Sequence, residues 1–98
     1  MASQGEYESL REDHEALRLQ FISAELDLAI TFCEMAISTD STDKAQRNAT
    51  NARRAFQAAS RTLEVPAPGP RYHPQIEEKL RRVKELFSEL ARTWRSKP

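Results

Sequence analysis

Two stretches of this chain carry apolar residues at alternating steps of four and three, and this spacing constrains the fold more than any other feature. Such steps keep side chains on one stripe of a 3.6-residue helix, so each stretch predicts an amphipathic α-helix. The first stripe is mostly alanine and the second is bulky, which suits close approach on one side and filling of volume on the other. The stripes are Ala45, Ala49, Ala52, Phe56, Ala59 and Leu63, and Ile76, Leu80, Val83, Phe87, Leu90 and Trp94.

Another helix is predicted ahead of these two, and its second half is apolar on most of its circumference, which is typical of a helix with more than one neighbour. Residues 38–43 are polar turn formers, and prolines at 66, 68, 70 and 74 prevent helix continuation. The predicted fold class is therefore all-α, a three-helix antiparallel bundle with a proline-rich connection before the third helix. The helices are expected at about 6–37, 42–64 and 74–95.

The predicted core combines the two stripes with one face of the first helix. The expected core residues are Phe21, Leu28, Phe32, Met35, Ala49, Ala52, Phe56, Ala59, Leu63, Ile76, Leu80, Val83, Phe87, Leu90 and Trp94.

The length of 98 residues predicts a single domain over 1–98, with a proline-rich loop at 65–73. The first helix, at roughly 48 Å, is longer than the other two, at roughly 33 Å each. Three interpretations are open: residues 1–20 overhang the bundle or fray, the helix bends near residues 20–23, or another chain covers its end.

A net charge of zero conceals a separation of charge along the chain. Residues 1–43 hold ten acids and two bases, a charge of −8, whereas residues 44–98 hold thirteen bases and five acids, a charge of +8. The separation indicates either pairing between helices within one molecule or an acidic and a basic binding surface.

Cysteine content and hydropathy bear on the compartment. The single Cys33 excludes an internal disulfide and, among apolar neighbours, is expected to be a buried, inert thiol. No apolar run reaches the roughly 18 residues of a membrane span, and no signal peptide is recognisable at the start. We expect a soluble cytoplasmic protein without membrane contact.

One segment resembles a known repeat family. In Ala52-Arg53-Arg54-Ala55-Phe56-Gln57-Ala58-Ala59, with Pro66 beyond, a small residue, an aromatic residue, a small residue and a terminating proline follow one another. This order is similar to the second helix of a tetratricopeptide repeat, and the likeness covers about residues 26–66, once. A three-helix trafficking-type module such as the MIT domain looks similar at this level. The resemblance implies the binding of peptides or partner proteins.

The second helix presents a candidate basic binding face made of Arg47, Arg54 and Arg61, which are seven residues apart. Such a row could pair with backbone phosphates. No aromatic residues interleave with it, so the sequence favours a solvated face that pairs with Glu25, Asp27 or Glu34 of the first helix over nucleic-acid or anion binding. An acidic protein partner is the third interpretation.

The start of the first helix carries a candidate self-association seam made of Leu10, His14, Leu17 and Phe21. These residues fall on a heptad stripe that continues to Ala24 and Leu28. A seam that outlasts the other helices could pair with its copy in a homodimer. In an antiparallel pair, Arg11 and Arg18 would face acids of the partner.

Chemistry-bearing constellations are otherwise missing from the sequence. Glu12-Asp13-His14-Glu15 is expected to be a solvated acidic turn, because consecutive helical residues point in different directions. Tyr72 and His73 are expected to cover the open end of the bundle. No nucleophile–base pair, phosphate loop or paired-carboxylate motif is present, so we expect no enzyme activity, no cofactor and no metal. The leading hypothesis is an interaction module for an unidentified protein partner.

Overall fold

The computed structural model of the chain describes residues 4–64 and 73–95. Three helices make up this part: α1, Gln4–Ser38; α2, Thr42–Glu64; and α3, Pro74–Arg95. The all-α three-helix bundle predicted from the sequence is confirmed, and the bounds of α2 and α3 are those predicted. Residues 65–72 of the predicted proline-rich loop, which include Tyr72, lie outside the described part.

The helix starts follow from local chemistry. Ser41 is the N-cap of α2: its hydroxyl oxygen accepts a hydrogen bond from the Lys44 backbone N–H at 3.3 Å, and its carbonyl accepts from Ala45 at 2.9 Å. Pro74 occupies the first position of α3, where its missing N–H has no role, and the carbonyl of His73 accepts the first bond, from Glu77, at 3.0 Å.

The long helix α1 packs against both α2 and α3, whereas α2 and α3 have few contacts with each other. Cys33 clusters with Ala52 and Leu86, and Ala36 clusters with Ala49 and Leu90. These pairings make α2 antiparallel to α1 and α3 parallel to it. α1 is a single uninterrupted helix of 35 residues, about 52 Å long. It continues without interruption through residues 20–23, where a bend was one of the three open interpretations.

The core prediction is right for α2 and α3 and, in α1, for Phe32, which is partly buried; it is wrong for the other three α1 residues. Ala49, Ala52, Ala59, Ile76, Val83 and Leu90 are buried, and the remaining predicted residues of α2 and α3 are partly buried. In α1, however, Phe21, Leu28 and Met35 are 45%, 46% and 47% exposed. The fully buried residues are Ile22, Leu26, Ala29, Cys33 and Ala36.

The physical reason for this correction lies in the alanine face of α2. Alanines let the backbone of α2 come close, so the facing positions of α1 must be small or compact, as Ala29, Cys33 and Ala36 are. The buried residues of α1 also follow steps of four and three. Four of them come directly after a residue of the predicted α1 core face, so the buried row is displaced by one position from the predicted row. Phe21, Leu28 and Met35 are left on the outside, whereas the two bulky members of the buried row, Ile22 and Leu26, cluster with Ile76 and Val83 of α3.

Candidate interaction surfaces

The most prominent surface feature is a continuous row of exposed residues along α1, which we call the α1 stripe. It follows unbroken steps of four and three over about 38 Å of helix, and every member is exposed. Its five large apolar side chains are between 45% and 63% exposed. The α1 stripe consists of Leu10, His14, Leu17, Phe21, Ala24, Leu28, Thr31 and Met35.

All four residues of the predicted seam, Leu10, His14, Leu17 and Phe21, belong to the α1 stripe. The predicted free seam ends where the bundle begins, because Leu28 and Met35 are expected in the core. The structure leaves both on the outside, so the exposed row is about twice as long as predicted. The unbroken heptad spacing was the signal that could have found the remainder.

The edge of the α1 stripe next to α2 is held by Arg18. Its Nη2 and Nε donate to the carbonyl oxygen of Thr62 at 3.0 and 3.3 Å, and its Nη1 pairs with Glu15 at 2.9 Å. Arg18 therefore closes the C-terminal end of α2 within the same molecule, and its pairing with an acid of a partner stays a prediction. The side chain of Arg11 lies outside the described residues.

The residues of the predicted basic face, Arg47, Arg54 and Arg61, are all exposed on α2. Within residues 4–64 and 73–95, no carboxylate forms an ion pair with any of the three. The expected partner Asp27 instead pairs with Lys79 of α3 at 2.9 Å. Arg47 and Arg54 border a shallow polar depression that also contains Asp43.

A groove of about 1060 Å³ lies between α2 and α3, and it was not predicted from the sequence. The rings of Phe56 and Phe87, whose centroids are 5.7 Å apart in an edge-to-face arrangement, form part of its lining. Ala49 and Leu90 form part of its lining, and Trp94 closes one end. The indole Nε1 of Trp94 donates to the carbonyl oxygen of Ala36 at 2.9 Å.

The chemistry-bearing side chains are scattered. Glu12, Asp13 and His14 are exposed, and no group of three His, Cys, Asp or Glu side chains in the described part of the chain could hold a metal ion. Cys33 is fully buried, and this burial raises the pKa of its thiol to about 11. His73 is half-buried at the start of α3. None of the described helices is long and apolar enough to span a bilayer.

Comparison with known proteins supplies no relative: no protein-family model, curated protein or solved structure matches this chain. Functional inference therefore rests on the surfaces themselves.

Proposed function

We propose that this chain is a non-enzymatic helical protein–protein interaction module and that the α1 stripe is its contact surface. The observation that supports this is the set of five large apolar side chains exposed in one continuous row. Burying such a side chain contributes about 1.5 to 3 kcal/mol, so leaving five half-exposed forgoes a large part of the available stabilisation. Contiguous apolar rows of this kind mark association sites on soluble proteins.

The pKa shifts of the ionisable groups have structural causes, and in this proposal none of these groups is catalytic. Burial accounts for Cys33. On α3, a hydrogen-bonded ion pair with Arg81 lowers the pKa of Glu78 and raises that of Arg81 itself. Active sites usually combine such shifts with a cleft, and these groups lie either in the core or on a convex, exposed helix face.

The proposal is tested by affinity capture with the full chain and two matched variants as baits. Ala24→Glu places a charge on the α1 stripe, and Ala16→Glu places the same charge on an exposed position of α1 outside it. A specific partner should be retained by wild type and Ala16→Glu and lost with Ala24→Glu. Partners that ignore both substitutions would show that the contact surface lies elsewhere.

A second candidate function is the binding of nucleic acid or another polyanion through Arg47, Arg54 and Arg61. It is favoured by the lack of intramolecular ion pairs to these side chains among the described residues. Binding of this kind would weaken steeply with salt and would be lost in an Arg47/Arg54/Arg61→Gln triple variant. A mobility-shift assay at low salt that shows no retardation by the wild-type chain removes this candidate.

The tetratricopeptide-like character of residues 26–66 and the cytoplasmic location stay predictions, and Pro66 lies outside the described residues. If the resemblance reflects function, it supports the same class, the binding of peptides or proteins.

A further inference from the structure

We propose that the occupant of the α1 stripe is the α1 stripe of a second copy of this chain, running antiparallel to the first. This inference rests on the proposed function and names the partner. Two antiparallel α1 helices would place Leu10 opposite Met35 of the second copy, Leu17 opposite its Leu28, and Phe21 opposite its Ala24. A two-fold axis then passes between Phe21 and Ala24, and each contact occurs twice.

The side chains of the α1 stripe match one another in this register. Leu10 meets Met35 in the outer layer, and Leu17 meets Leu28 in the layer nearer the two-fold axis. The two polar members, His14 and Thr31, share the layer between them. At the centre the largest side chain, Phe21, faces the smallest, Ala24, which fills space without crowding. A parallel pair would instead stack Phe21 on Phe21 next to a layer of two alanines.

The length of the α1 stripe is sufficient for such a pair. A stable coiled-coil seam needs apolar positions sustained over about three to four heptads. The two heptads of the seam predicted from the sequence fall short of this, whereas the row from Leu10 to Met35 reaches it. All eight positions are already exposed, so pairing requires no opening of the bundle.

The charges of α1 do not by themselves select the direction of the pair. In the antiparallel register Asp13, which flanks the α1 stripe, comes within about one turn of Glu34 of the second copy on the same flank, and a parallel pair aligns the two acidic starts. The fit of Phe21 against Ala24 at the two-fold axis is what favours the antiparallel direction.

The mass of the full chain in solution at micromolar concentration tests the pairing. Sedimentation or light scattering should give a dimer of the 11.2 kDa chain. Ala24→Glu should raise the dimer dissociation constant about 100-fold or more, because like charges meet at the two-fold axis. Ala16→Glu should leave it unchanged. Both alanines are exposed in the single chain, so circular dichroism should show the same helicity for all three proteins.

Single cysteines test the direction. In the antiparallel register the two Leu17 positions are roughly 16 Å apart along the axis, too far for a disulfide, whereas Leu17 and Leu28 of the second copy are in contact. Oxidising Leu17→Cys alone should give no crosslink, and mixing it with Leu28→Cys should give a crosslinked heterodimer. The native Cys33 is buried and does not interfere.

Each outcome bears on the proposal. A monomeric wild-type chain, or a dimer that survives Ala24→Glu, overturns the self-pairing, and a crosslink in Leu17→Cys alone overturns its direction. The interaction function is judged separately: a different partner lost with Ala24→Glu and kept with Ala16→Glu would leave that function standing while the homodimer fails.

Discussion

Arg18 of α1 and Thr62 of α2, 44 positions apart in the chain, are joined by two hydrogen bonds from one guanidinium to one carbonyl oxygen. Thr62 belongs to the last turn of α2, whose carbonyls have no partner within their own helix. The charged donor at a helix C-terminus also complements the helix dipole. This contact fixes the level at which α1 emerges from the bundle.

Replacing Arg18 by Gln is expected to lower the free energy of unfolding by about 1 to 3 kcal/mol, because charge-assisted hydrogen bonds to a partly buried carbonyl are lost. Denaturation in urea measures this. Arg54→Gln serves as the control, since Arg54 is exposed and has no described ion pair, and should change stability by less than about 0.5 kcal/mol. Equal effects of the two substitutions would contradict the anchoring role of Arg18.

Trp94→Phe is expected to cost about 1 kcal/mol by removing the indole donor to Ala36, which lies in the last turn of α1. Phenylalanine keeps an aromatic ring at the end of the groove but is smaller than tryptophan, so the loss contains the hydrogen bond together with part of the ring packing. Thermal unfolding should show a lower midpoint for Trp94→Phe. A variant with unchanged stability would mean that water replaces the indole at this carbonyl.

Enlarging the alanine face of α2 is expected to destabilise the bundle. Ala52 is fully buried against Cys33 and Leu86, so Ala52→Leu should cost about 1 to 3 kcal/mol through overpacking. Ala16→Leu, the same substitution at an exposed position of α1, should be close to neutral. If Ala52→Leu unfolds at the wild-type denaturant concentration, the close packing of α1 on α2 is wrong.

The reactivity of Cys33 should depend on unfolding. Burial raises its pKa from 9.0 to about 11, so at pH 8 the folded protein holds roughly 100-fold less thiolate than a free thiol. Alkylation by iodoacetamide at pH 8 should be slow in the folded wild-type chain and fast in urea. The exposed thiol of Leu17→Cys should react rapidly without denaturant.

The same shift predicts a loss of stability at high pH. As the pH rises, Cys33 loses its proton in the unfolded chain before it does so in the folded chain. The contribution of the protonated thiol to the free energy of unfolding is therefore complete below about pH 9 and declines as the pH rises towards 11. Cys33→Ala should flatten this part of the stability profile. A profile that is the same with and without the thiol would assign the alkaline loss to other groups.

The helices could be predicted from the sequence because their signals are local. The apolar spacing, the cap at Ser41 and the proline at position 74 each act within a turn or two, and the predicted bounds of α2 and α3 match the structure. The buried face of α1 could not be predicted in this way. Two apolar rows on α1 share the same spacing one residue out of phase, and the shape of α2 decides between them.

The candidate surfaces likewise fall into those whose spacing is visible in the sequence and those that depend on tertiary packing. Leu10, His14, Leu17 and Phe21 were found because their heptad spacing is visible in the sequence, and the rest of the α1 stripe was missed because its residues were assigned inward. The groove between α2 and α3 depends on the tertiary placement of the two helices around Phe56 and Phe87, and no sequence pattern reports that placement. Asp27 was expected to pair with the basic face of α2, but the side of α1 that carries it faces Lys79 of α3. This orientation of α1 also could not be predicted from the sequence.

Two side chains, Arg18 and Trp94, each donate a hydrogen bond to the end of a neighbouring helix, and together they link all three helices. The end of α2 is completed by a residue of α1, and the end of α1 is completed by a residue of α3. The carbonyls of Thr62 and Ala36 therefore each have their partner on another helix. A fragment that lacks α3 would leave the last turn of α1 unfinished, so an isolated α1–α2 hairpin should fray at that end and the three helices should melt as one cooperative unit.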